Sequence, residues 1–506
     1  MAITKVTGGL LGNLAVGTGN VALGDSALDD GSLSGGNNTA IGNAALTANT
    51  TGSLNVAVGS SALGSNTTAP YNTAIGYQAL RDNVTGNQNT AVGYEALAAN
   101  TALKNTAVGA YAQYQSTSAQ QSTALGYAAL AALTTGSYNV AVGASALDAN
   151  TTGNQNTAIG WTALTANTTG YSNVGCGDQT LAANTAGLQN TAVGSAAMYA
   201  NTTGDNNVAV GYAALDANTT ADNNTAVGYS SLTANTTGSV NTAVGENSLP
   251  ANTTGLANSA FGVGSLFVNT TGNNNTAIGR SALVSSTTAS NNTAVGYDAG
   301  GAITTGTRSV FVGLGAGNTT TTGVNNTFVG YDALGVAAST SSQVVLGKSA
   351  RSQGGGYFTI GNGESTWTRV DIGATTWFSS SDERLKKNVN NLNVGLDFIN
   401  DLRPVTYNWK TKGEVDSSLP HYKENSTELV RNGDSAVGLQ YGFIAQEIKQ
   451  AVDTHNVENN GDVWAENNDG IQDIGTTGLI PMLVKALQEA DNKINALTTR
   501  IEALEN

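Results

Sequence analysis

Apolar and polar positions recur along this chain with a period of seventeen residues. The glycines that close the repeats run from Gly42 to Gly93, make one step of sixteen, and then keep the interval from Gly109 to Gly347. Each closes a block whose commonest form is Asn-Thr-Ala-Val-Gly, and we number the unit so that this Asn is position 1. A short, fixed period is the mark of a solenoid whose coils stack along one axis. The pattern therefore predicts a parallel β-solenoid with one short strand in each coil.

The two faces of this short strand carry different apolar residues, because consecutive strand residues point to opposite sides. Position 3 is nearly always Ala, as at Ala40, and position 4 is β-branched or otherwise apolar, as at Ile41. We expect position 4 to line the inside of its own coil and the alanines to meet a neighbouring chain at close range. This arrangement predicts a parallel homo-oligomer whose gap widens where Phe311 and Phe328 replace Ala.

The rest of the unit predicts a second apolar anchor and a turn. Position 9 is usually Leu with Ala before it, as in Ala62-Leu63, and positions 12 to 15 commonly read Asn-Thr-Thr-Gly. Asn and Gly tolerate the left-handed backbone of turns, so we expect changes in length, such as the sixteen-residue step before Gly109, to fall there. Stacked Asn side chains at positions 1 and 12 can form hydrogen-bonded ladders. With coils about 4.8 Å apart, the copies predict a rod of roughly 90 Å.

Aromatic residues recur at position 6 of the unit. They can stack on the sugars of a receptor, or they can pack on one another, because equivalent residues of adjacent coils lie at coil spacing. These residues are Tyr77, Tyr94, Tyr127, Trp161, Tyr212, Tyr229 and Tyr297.

The Asn-Thr-Ala-Val-Gly block resembles the repeat of the left-handed β-roll heads of trimeric adhesins, over about residues 13–347. That resemblance implies a trimeric parallel β-roll. Energetics also favour association, because ordering the backbone costs about 1–2 kcal/mol per residue, whereas burying one Val or Leu returns about 1.5–3 kcal/mol. We therefore expect coils so poor in large side chains to depend on burial shared between chains.

A different kind of sequence begins near residue 381. Residues 1–380 hold 23 charged residues, whereas the much shorter segment 381–506 holds 32. Three blocks follow in order and precede a terminal helical pattern: Phe-Ser-Ser-Ser-Asp-Glu-Arg-Leu-Lys-Lys at 378–387, Leu-Arg-Pro-Val-Thr-Tyr-Asn-Trp-Lys at 402–410 and Tyr-Gly-Phe-Ile-Ala-Gln-Glu at 441–447. Together they resemble the intramolecular chaperone family of phage endosialidases, tail fibres and spikes.

That resemblance implies a small α+β domain that trimerises, helps the preceding β-rich part to fold, and cuts itself off before the Ser of a Ser-Asp-x-x-x-Lys motif. Carried over, Ser381 is the nucleophile, Lys386 the general base and Ser380–Ser381 the scissile bond. Lys can activate a Ser hydroxyl when burial lowers its pKa. On one continuous helix the two side chains would lie about 140° apart. A catalytic pair therefore requires either that Ser381 precedes a helix as its cap or that the Lys comes from a neighbouring chain. In the alternative without catalysis, Ser381 is only a helix cap and Lys386 is a solvated charge.

The terminal segment predicts a coiled coil over 479–506. Ile and Leu alternate at intervals of three and four for more than three heptads, which is the spacing of a coiled-coil seam. Ile at the first seam position and Leu at the second favours two strands, but the family implies three, and we expect three. The seam residues are Ile480, Leu483, Leu487, Ala490, Ile494, Leu497, Ile501 and Leu504.

Composition argues against several other classes of protein. The net charge of −15, with no Lys/Arg cluster, argues against nucleic acid as a partner. Stretches of the roughly 20 apolar residues needed for a membrane span are absent from the sequence, and the N-terminal sequence lacks a secretory pattern. Cys176 stands where other copies carry Val or Ile, so it is expected to be a small buried hydrophobe, and His421 and His455 are expected at the surface. The sequence predicts no metal site and no cofactor.

We therefore expect a homotrimeric phage tail fibre, made in the host cytoplasm and carried on the virion, with a self-cleaving Ser-Lys peptidase as its only enzymatic activity. Its expected partners are tail or baseplate proteins at the N-terminus and a host surface receptor, for which a glycan is a candidate. The alternatives are a prophage-derived bacterial adhesin without proteolysis and an ice-binding solenoid that uses the Thr at position 2. The expected segments are an attachment segment at 1–12, the shaft at 13–347, a β-rich connector at 348–380 and the chaperone domain at 381–506.

Overall fold

A computed structural model of the chain describes residues 19–363, 367–371, 377–379, 386–430, 438–458, 463–466 and 470–505. The chain divides into two compact units, Met1–Ser380 and Ser381–Asn506. The described part of the first unit is built from strands and turns, whereas the described part of the second combines short strands with three helices.

The first unit is a parallel β-solenoid, which confirms the fold class read from the period. Three-residue strands pair in parallel from one coil to the next, so that Ala40 stands opposite Ala57 and Ala57 opposite Ala74. The strands are β1 (Val21–Leu23), β2 (Thr39–Ile41), β3 (Val56–Val58), β4 (Thr73–Ile75), β5 (Thr90–Val92), β6 (Thr106–Val108), β7 (Thr123–Leu125), β8 (Val140–Val142), β9 (Thr157–Ile159), β10 (Val174–Cys176), β11 (Thr191–Val193), β12 (Val208–Val210), β13 (Thr225–Val227), β14 (Thr242–Val244), β15 (Ser259–Phe261), β16 (Thr276–Ile278), β17 (Thr293–Val295), β18 (Val310–Val312), β19 (Thr327–Val329) and β20 (Val344–Leu346).

The solenoid continues into the segment expected to be a connector. Strand β21 (Tyr357–Gly361) still pairs in parallel with β20. Strands β22 (Trp367–Asp371) and β23 (Trp377–Ser379) then add to it in antiparallel register. The parallel stack therefore ends at β21, where the chain reverses its direction.

The faces of the strand are the reverse of those expected. The position-3 alanines, such as Ala40 and Ala57, are fully buried inside their own coil, whereas the position-4 residues, such as Ile41 and Ile75, are partly exposed. Position 3 is small because it faces the buried Leu of position 9. At Gly175, which occupies position 3 in its coil, an added Cβ would lie 3.3 Å from Leu164 Cδ1. The expectation that the position-3 faces meet a neighbouring chain is therefore wrong.

The same inversion changes the interpretation of Cys176. It lies at position 4 and is half-buried with a free thiol, not a fully buried small hydrophobe. Positions 2 and 4 together form the outward face of the strand in every coil. This outward face, most often with Thr or Val at position 2 and Val, Ile or Leu at position 4, runs the length of the solenoid; Cys176, Ser259 and Phe261 are exceptions.

The two phenylalanines lie inside the solenoid and do not widen a gap between chains. Phe311 and Phe328 are fully buried, and their rings stack with centroids 5.9 Å apart. The space comes from position 9, where Gly300 and Gly317 replace the usual Leu. An added Cβ at Gly300 would lie 2.7 Å from Phe311 Cδ2, and one at Gly317 would lie 2.1 Å from Phe311 Cδ1. The large side chain at position 3 thus fills the space that the absent Leu side chain leaves at position 9.

We expect Phe311→Ala to lower the free energy of unfolding by about 3–5 kcal/mol, because the lost ring leaves a cavity beside two glycines. Gly300→Leu alone should also destabilise, since its side chain would collide with the ring of Phe311. The double variant restores the Ala-and-Leu arrangement of the other coils and should be more stable than either single variant. Thermal unfolding followed by circular dichroism measures all three, and additive losses would contradict this account of the packing.

Two ladders of buried Asn side chains run along the solenoid, as the repeat predicted. At position 1, the backbone N–H of Asn55 donates to Oδ1 of Asn38 at 3.0 Å, and Nδ2 of Asn55 donates to the carbonyl of Ala69 at 2.9 Å. At position 12, Nδ2 of Asn66 donates to Oδ1 of Asn49 at 2.9 Å. These hydrogen bonds matter because a buried polar group without a hydrogen-bond partner would destabilise the fold. The Asn residues at positions 1 and 12 are therefore part of the core of the solenoid.

The sixteen-residue step is absorbed in the turn, as expected. Strand pairing across it keeps its register, with Ala91 opposite Ala107, and the position-1 ladder continues because the N–H of Asn105 donates to Asn89 Oδ1 at 2.9 Å. The position-12 ladder is what the step disturbs. Oδ1 of Asn83, in the coil before the short one, is buried without a hydrogen-bond partner.

Each coil turns through a series of left-handed residues. The glycines at position 5 have φ between 122° and 140° from Gly42 to Gly347. In most coils a non-glycine residue at position 7 and Leu at position 9 are also left-handed, as at Ser61 (58°) and Leu63 (50°). Backbone bonds between coils offset this strain; the N–H of Leu63, for example, donates to the carbonyl of Ala79 at 3.0 Å. The buried Leu thus reaches the interior from a strained turn.

The second unit has a small core of its own. Helices α1 (Leu396–Asp401) and α2 (Ala445–Thr454) pack with the first turns of the long helix α3 (Thr476–Glu505). The short strands form two antiparallel pairs, β24 (Val405–Tyr407) with β25 (Gln440–Gly442) and β26 (Trp464–Glu466) with β27 (Gln472–Ile474). The buried residues at the centre are Phe398, Ile448, Ala451, Val452, Val463, Leu479 and Met482.

Candidate functional site in the C-terminal unit

The second and third sequence blocks meet in the fold. Strand β24 comes from the block at 402–410 and β25 leads into the block at 441–447, and the two pair so that Thr406 stands opposite Tyr441. A salt bridge joins the same two blocks, since the guanidinium of Arg403 donates to both carboxylate oxygens of Glu447, with Nε 3.1 Å from Oε2. The hydrogen bond to Glu447 raises the pKa of Arg403. Residues about forty positions apart thus form one local structure.

A cavity of about 550 Å³ opens between these two blocks and the antiparallel pair of β26 and β27. Tyr407 and Trp409 line it from the first block, with their rings edge to face at 5.4 Å, and Phe443 and Gln446 line it from the second. Asp473 completes the wall on the side of β27. The cavity is open to solvent, and both aromatic and polar side chains line it.

Helix α3 holds the beginning of α1 in place. The carboxylate of Glu489 accepts the backbone N–H of Leu396 at 2.7 Å and pairs with Lys485 at 3.2 Å. The first of these bonds lowers the pKa of Glu489, and the contact with Lys485 adds to the effect. The N-terminus of α1 is therefore capped by a residue 93 positions later in the chain.

His421 is exposed, as expected, whereas His455 is more enclosed than expected. The side chain of His455 is only 23% exposed, with its Nε2 atom 2.7 Å from Asp401 Oδ2. Its ring packs edge to face on Phe398 at 5.7 Å. This contact fixes the end of α1 against the end of α2. Sequence reasoning missed it because 54 residues separate the two partners.

The seam of α3 is uncovered in the single chain. Leu487 is 70% exposed, Ile494 60% and Leu504 80%, although burying such side chains is strongly favourable in water. The side of the first turns that adjoins the seam is buried, with Leu479, Met482 and Ala486 against the core of the unit. The apolar seam is therefore left unpartnered along a helix of 30 residues.

The residues of the candidate peptidase are only partly placed. Ser380 and Ser381, and with them the candidate scissile bond, lie outside the described residues. Lys386 is described; its side chain is exposed, and the chain from Lys386 to Gly395 is not helical. The first helix after the motif begins at Leu396, so Lys386 does not belong to a helix that Ser381 could cap. The geometry of the Ser-Lys pair stays a prediction.

Part of this second unit matches a known protein family. Residues 381–457 match the family described as chaperone of endosialidase. The match begins at the residue where the second compact unit begins, and it contains the blocks that pair in β24 and β25. Searches of curated proteins and of solved structures found no match.

The chaperone of endosialidase match ends before α3, so the unpartnered seam lies beyond the matched residues. Within the part of the chain that the structure describes, no helix is long and apolar enough to cross a membrane. Among the same described residues, no three His, Cys, Asp or Glu side chains are grouped so that they could hold a metal ion.

Proposed function

We propose that the chain is a homotrimeric phage tail fibre whose C-terminal unit assembles three copies and then cuts itself off between Ser380 and Ser381. The observation that carries this proposal is the chaperone of endosialidase match, which starts at Ser381, where the unit that contains the β-solenoid ends. The solenoid would extend from the virion, bound there by tail or baseplate proteins, towards a receptor on the host surface.

A physical need for such a unit follows from the repeat. Neighbouring coils differ little, so chains that associate side by side could shift by one whole coil and lose only the contacts of one end. Solenoids can also nucleate at any point along their length. A trimerising unit at one end aligns the chains before the coils form. Once assembled, the shaft would persist because its unfolding is slow, even after the unit is removed.

Two unpartnered surfaces support association. The first is the seam of α3, whose apolar residues are exposed in the single chain. The second is the outward face of the solenoid strands, where Ile75, Ile159 and Ile278 are each about two-fifths exposed at position 4. Shared burial of that face would supply the stabilisation that coils with small side chains lack.

Mass spectrometry of the expressed full-length chain tests the cleavage. We expect the wild type to yield fragments that end at Ser380 and begin at Ser381, because the hydroxyl of Ser381 attacks the preceding peptide bond. Ser381→Ala removes this nucleophile and should leave the chain of 506 residues intact.

Ser380→Ala is the matched control, since it alters the other side of the same bond and keeps the nucleophile. It should be cut like the wild type. An intact wild-type chain after assembly would contradict the peptidase, and cutting of Ser381→Ala would assign the cleavage to another group.

A further inference from the structure

A row of four tyrosines crosses four consecutive coils near the start of the solenoid, and we call it the tyrosine ladder. Its members are Tyr77, Tyr94, Tyr111 and Tyr127. Ring centroids lie 5.2 Å apart from Tyr77 to Tyr94, 5.3 Å from Tyr94 to Tyr111 and 6.1 Å from Tyr111 to Tyr127. The first pair is stacked, and Tyr111 meets both of its neighbours edge to face. The rings form a continuous aromatic surface.

Tyr111 keeps this row continuous from a different position of the repeat. Tyr77, Tyr94 and Tyr127 stand at position 6, but the coil between the last two carries Ala110 there and supplies its ring from position 7. The sequence pattern at position 6 therefore missed this residue. Tyr114, in the same coil, adds a fifth ring at 5.9 Å from Tyr111.

The rings at both ends of the tyrosine ladder are open to solvent. Tyr77 is 44% exposed and Tyr127 59%. The next coils outward carry Ser60 and Ala144 at position 6, which are too small to cover a ring. The exposed faces at both ends leave room for a ligand to stack on the rings.

Polar groups frame the tyrosine ladder in a part of the chain that otherwise contains few charges. Arg81 forms a two-point salt bridge with Asp82, at 2.8 and 2.6 Å, and donates to Gln78 Oε1 at 2.9 Å. Gln78 donates in turn to the hydroxyl of Tyr77 at 3.1 Å. A hydrogen bond with Glu95 raises the pKa of the Tyr94 hydroxyl. Gln78 and Glu95 thus contact the hydroxyls of Tyr77 and Tyr94, and the ion pair of Arg81 with Asp82 is joined to Gln78.

A second pair of tyrosines lacks this frame. Tyr212 and Tyr229 stack with centroids 5.3 Å apart, as closely as the first pair of the ladder. Position 7 of their coils carries Ala213 and Ser230, in place of Gln78 and Glu95. Ring stacking alone therefore does not explain the charged and amide groups beside the tyrosine ladder.

We propose that the tyrosine ladder and its polar frame form a binding site for a neutral oligosaccharide. The C–H faces of a pyranose ring pack on aromatic rings, and its hydroxyls bond to carboxylates, amides and guanidinium groups of the kind placed here. Arg81 is paired with Asp82, and Glu95 adds a second carboxylate beside Tyr94, in a chain of net charge −15. Acidic glycans would therefore be repelled, and neutral ones are favoured. The site rests on the proposed role in host attachment and gives that role a receptor class.

Saturation-transfer NMR on the full-length protein tests the site with linear oligosaccharides of glucose, galactose and N-acetylglucosamine as neutral probes and α2,8-linked oligosialic acid as the anionic probe. We expect at least one neutral probe to bind and the anionic probe not to bind. Tyr77→Ala combined with Tyr94→Ala should weaken binding by about tenfold or more, which corresponds to the loss of one or two ring contacts.

Tyr212→Ala combined with Tyr229→Ala is the matched control, since it removes an equivalent stack without the polar frame. It should leave the affinity unchanged, and circular dichroism should show both double variants folded. Equal losses in both variants, no binding of any neutral probe, or preference for oligosialic acid would overturn the site. A changed oligomeric state in the Tyr77/Tyr94 variant alone, seen by sedimentation, would assign the rings to contacts between chains and overturn it too.

The outcome is independent of the cleavage experiment. A chain that binds a neutral probe through the tyrosine ladder but stays intact keeps the site and refutes the self-cleaving unit. A chain that is cut and trimeric but binds no probe keeps the self-cleaving unit and refutes the binding site.

Discussion

Gly228→Ala is expected to break the solenoid near its middle and to lower the free energy of unfolding by more than about 4 kcal/mol, the range of exceptional single substitutions. Gly228 has φ of 135°, a conformation that residues with a side chain rarely adopt. Its added Cβ would also lie 2.5 Å from the carbonyl oxygen of Gly245 in the next coil. Because that neighbour is backbone, the collision can be relieved only by separating two coils.

Gly264→Ala is the matched control, because this glycine is also left-handed, with φ of 65°, but has no atom within 4 Å of its added Cβ. It stands at position 7, where Ala196 and Ala213 already adopt the same conformation. We expect its effect to stay within about 1 kcal/mol. Thermal unfolding and limited proteolysis measure both; in Gly228→Ala new cuts should appear near the substitution. Equal stability of the two variants would contradict the close stacking of the coils.

The second large effect is expected from charges in the seam of α3. Leu487→Glu combined with Ile494→Glu should convert the assembled protein into single chains. In an assembled seam each new carboxylate would be buried without a partner, at about 3–5 kcal/mol for each uncompensated charge. In the single chain both positions are exposed, so the unit itself should still fold. Sedimentation velocity on the full-length chain gives the oligomeric state.

Asn492→Glu provides the control on the same helix. Asn492 is exposed, and it stands opposite the seam in the heptad. The same charge should there leave the assembly intact. If the seam variant remained trimeric, α3 would not join the chains, and assembly would have to rely on the outward face of the solenoid.

The repeat allowed the solenoid, its parallel pairing and both Asn ladders to be predicted, but not the orientation of its strand. Alternation shows that Ala40 and Ile41 face opposite ways without showing which of them faces inwards. Small size at position 3 was interpreted as close approach to another chain. In the structure it reflects the narrow interior left by the Leu of position 9, as Gly175 beside Leu164 illustrates. Gly300 and Gly317, which replace that Leu only next to Phe311, were the available signal.

In the C-terminal unit the motif blocks were visible in the sequence, whereas their contacts were not. The pairing of β24 with β25, the salt bridge of Arg403 with Glu447 and the cap of α1 by Glu489 all join distant residues. Periodicity has no bearing on such contacts. The terminal helix, in contrast, follows from its heptads; it begins at Thr476, three residues before the predicted coiled coil, which stays a prediction.

The short coil before Gly109 has a consequence for how such a protein varies between related genomes. One residue is missing there, yet the strands on both sides remain in register. Nearly identical repeats in a gene recombine unequally, and each in-frame exchange removes or inserts a whole coil while both ends of the chain keep their sequence. Small deletions at the junctions fall in a turn that tolerates them. The number of coils can therefore change in steps of one, separately from the sequences on either side of the solenoid.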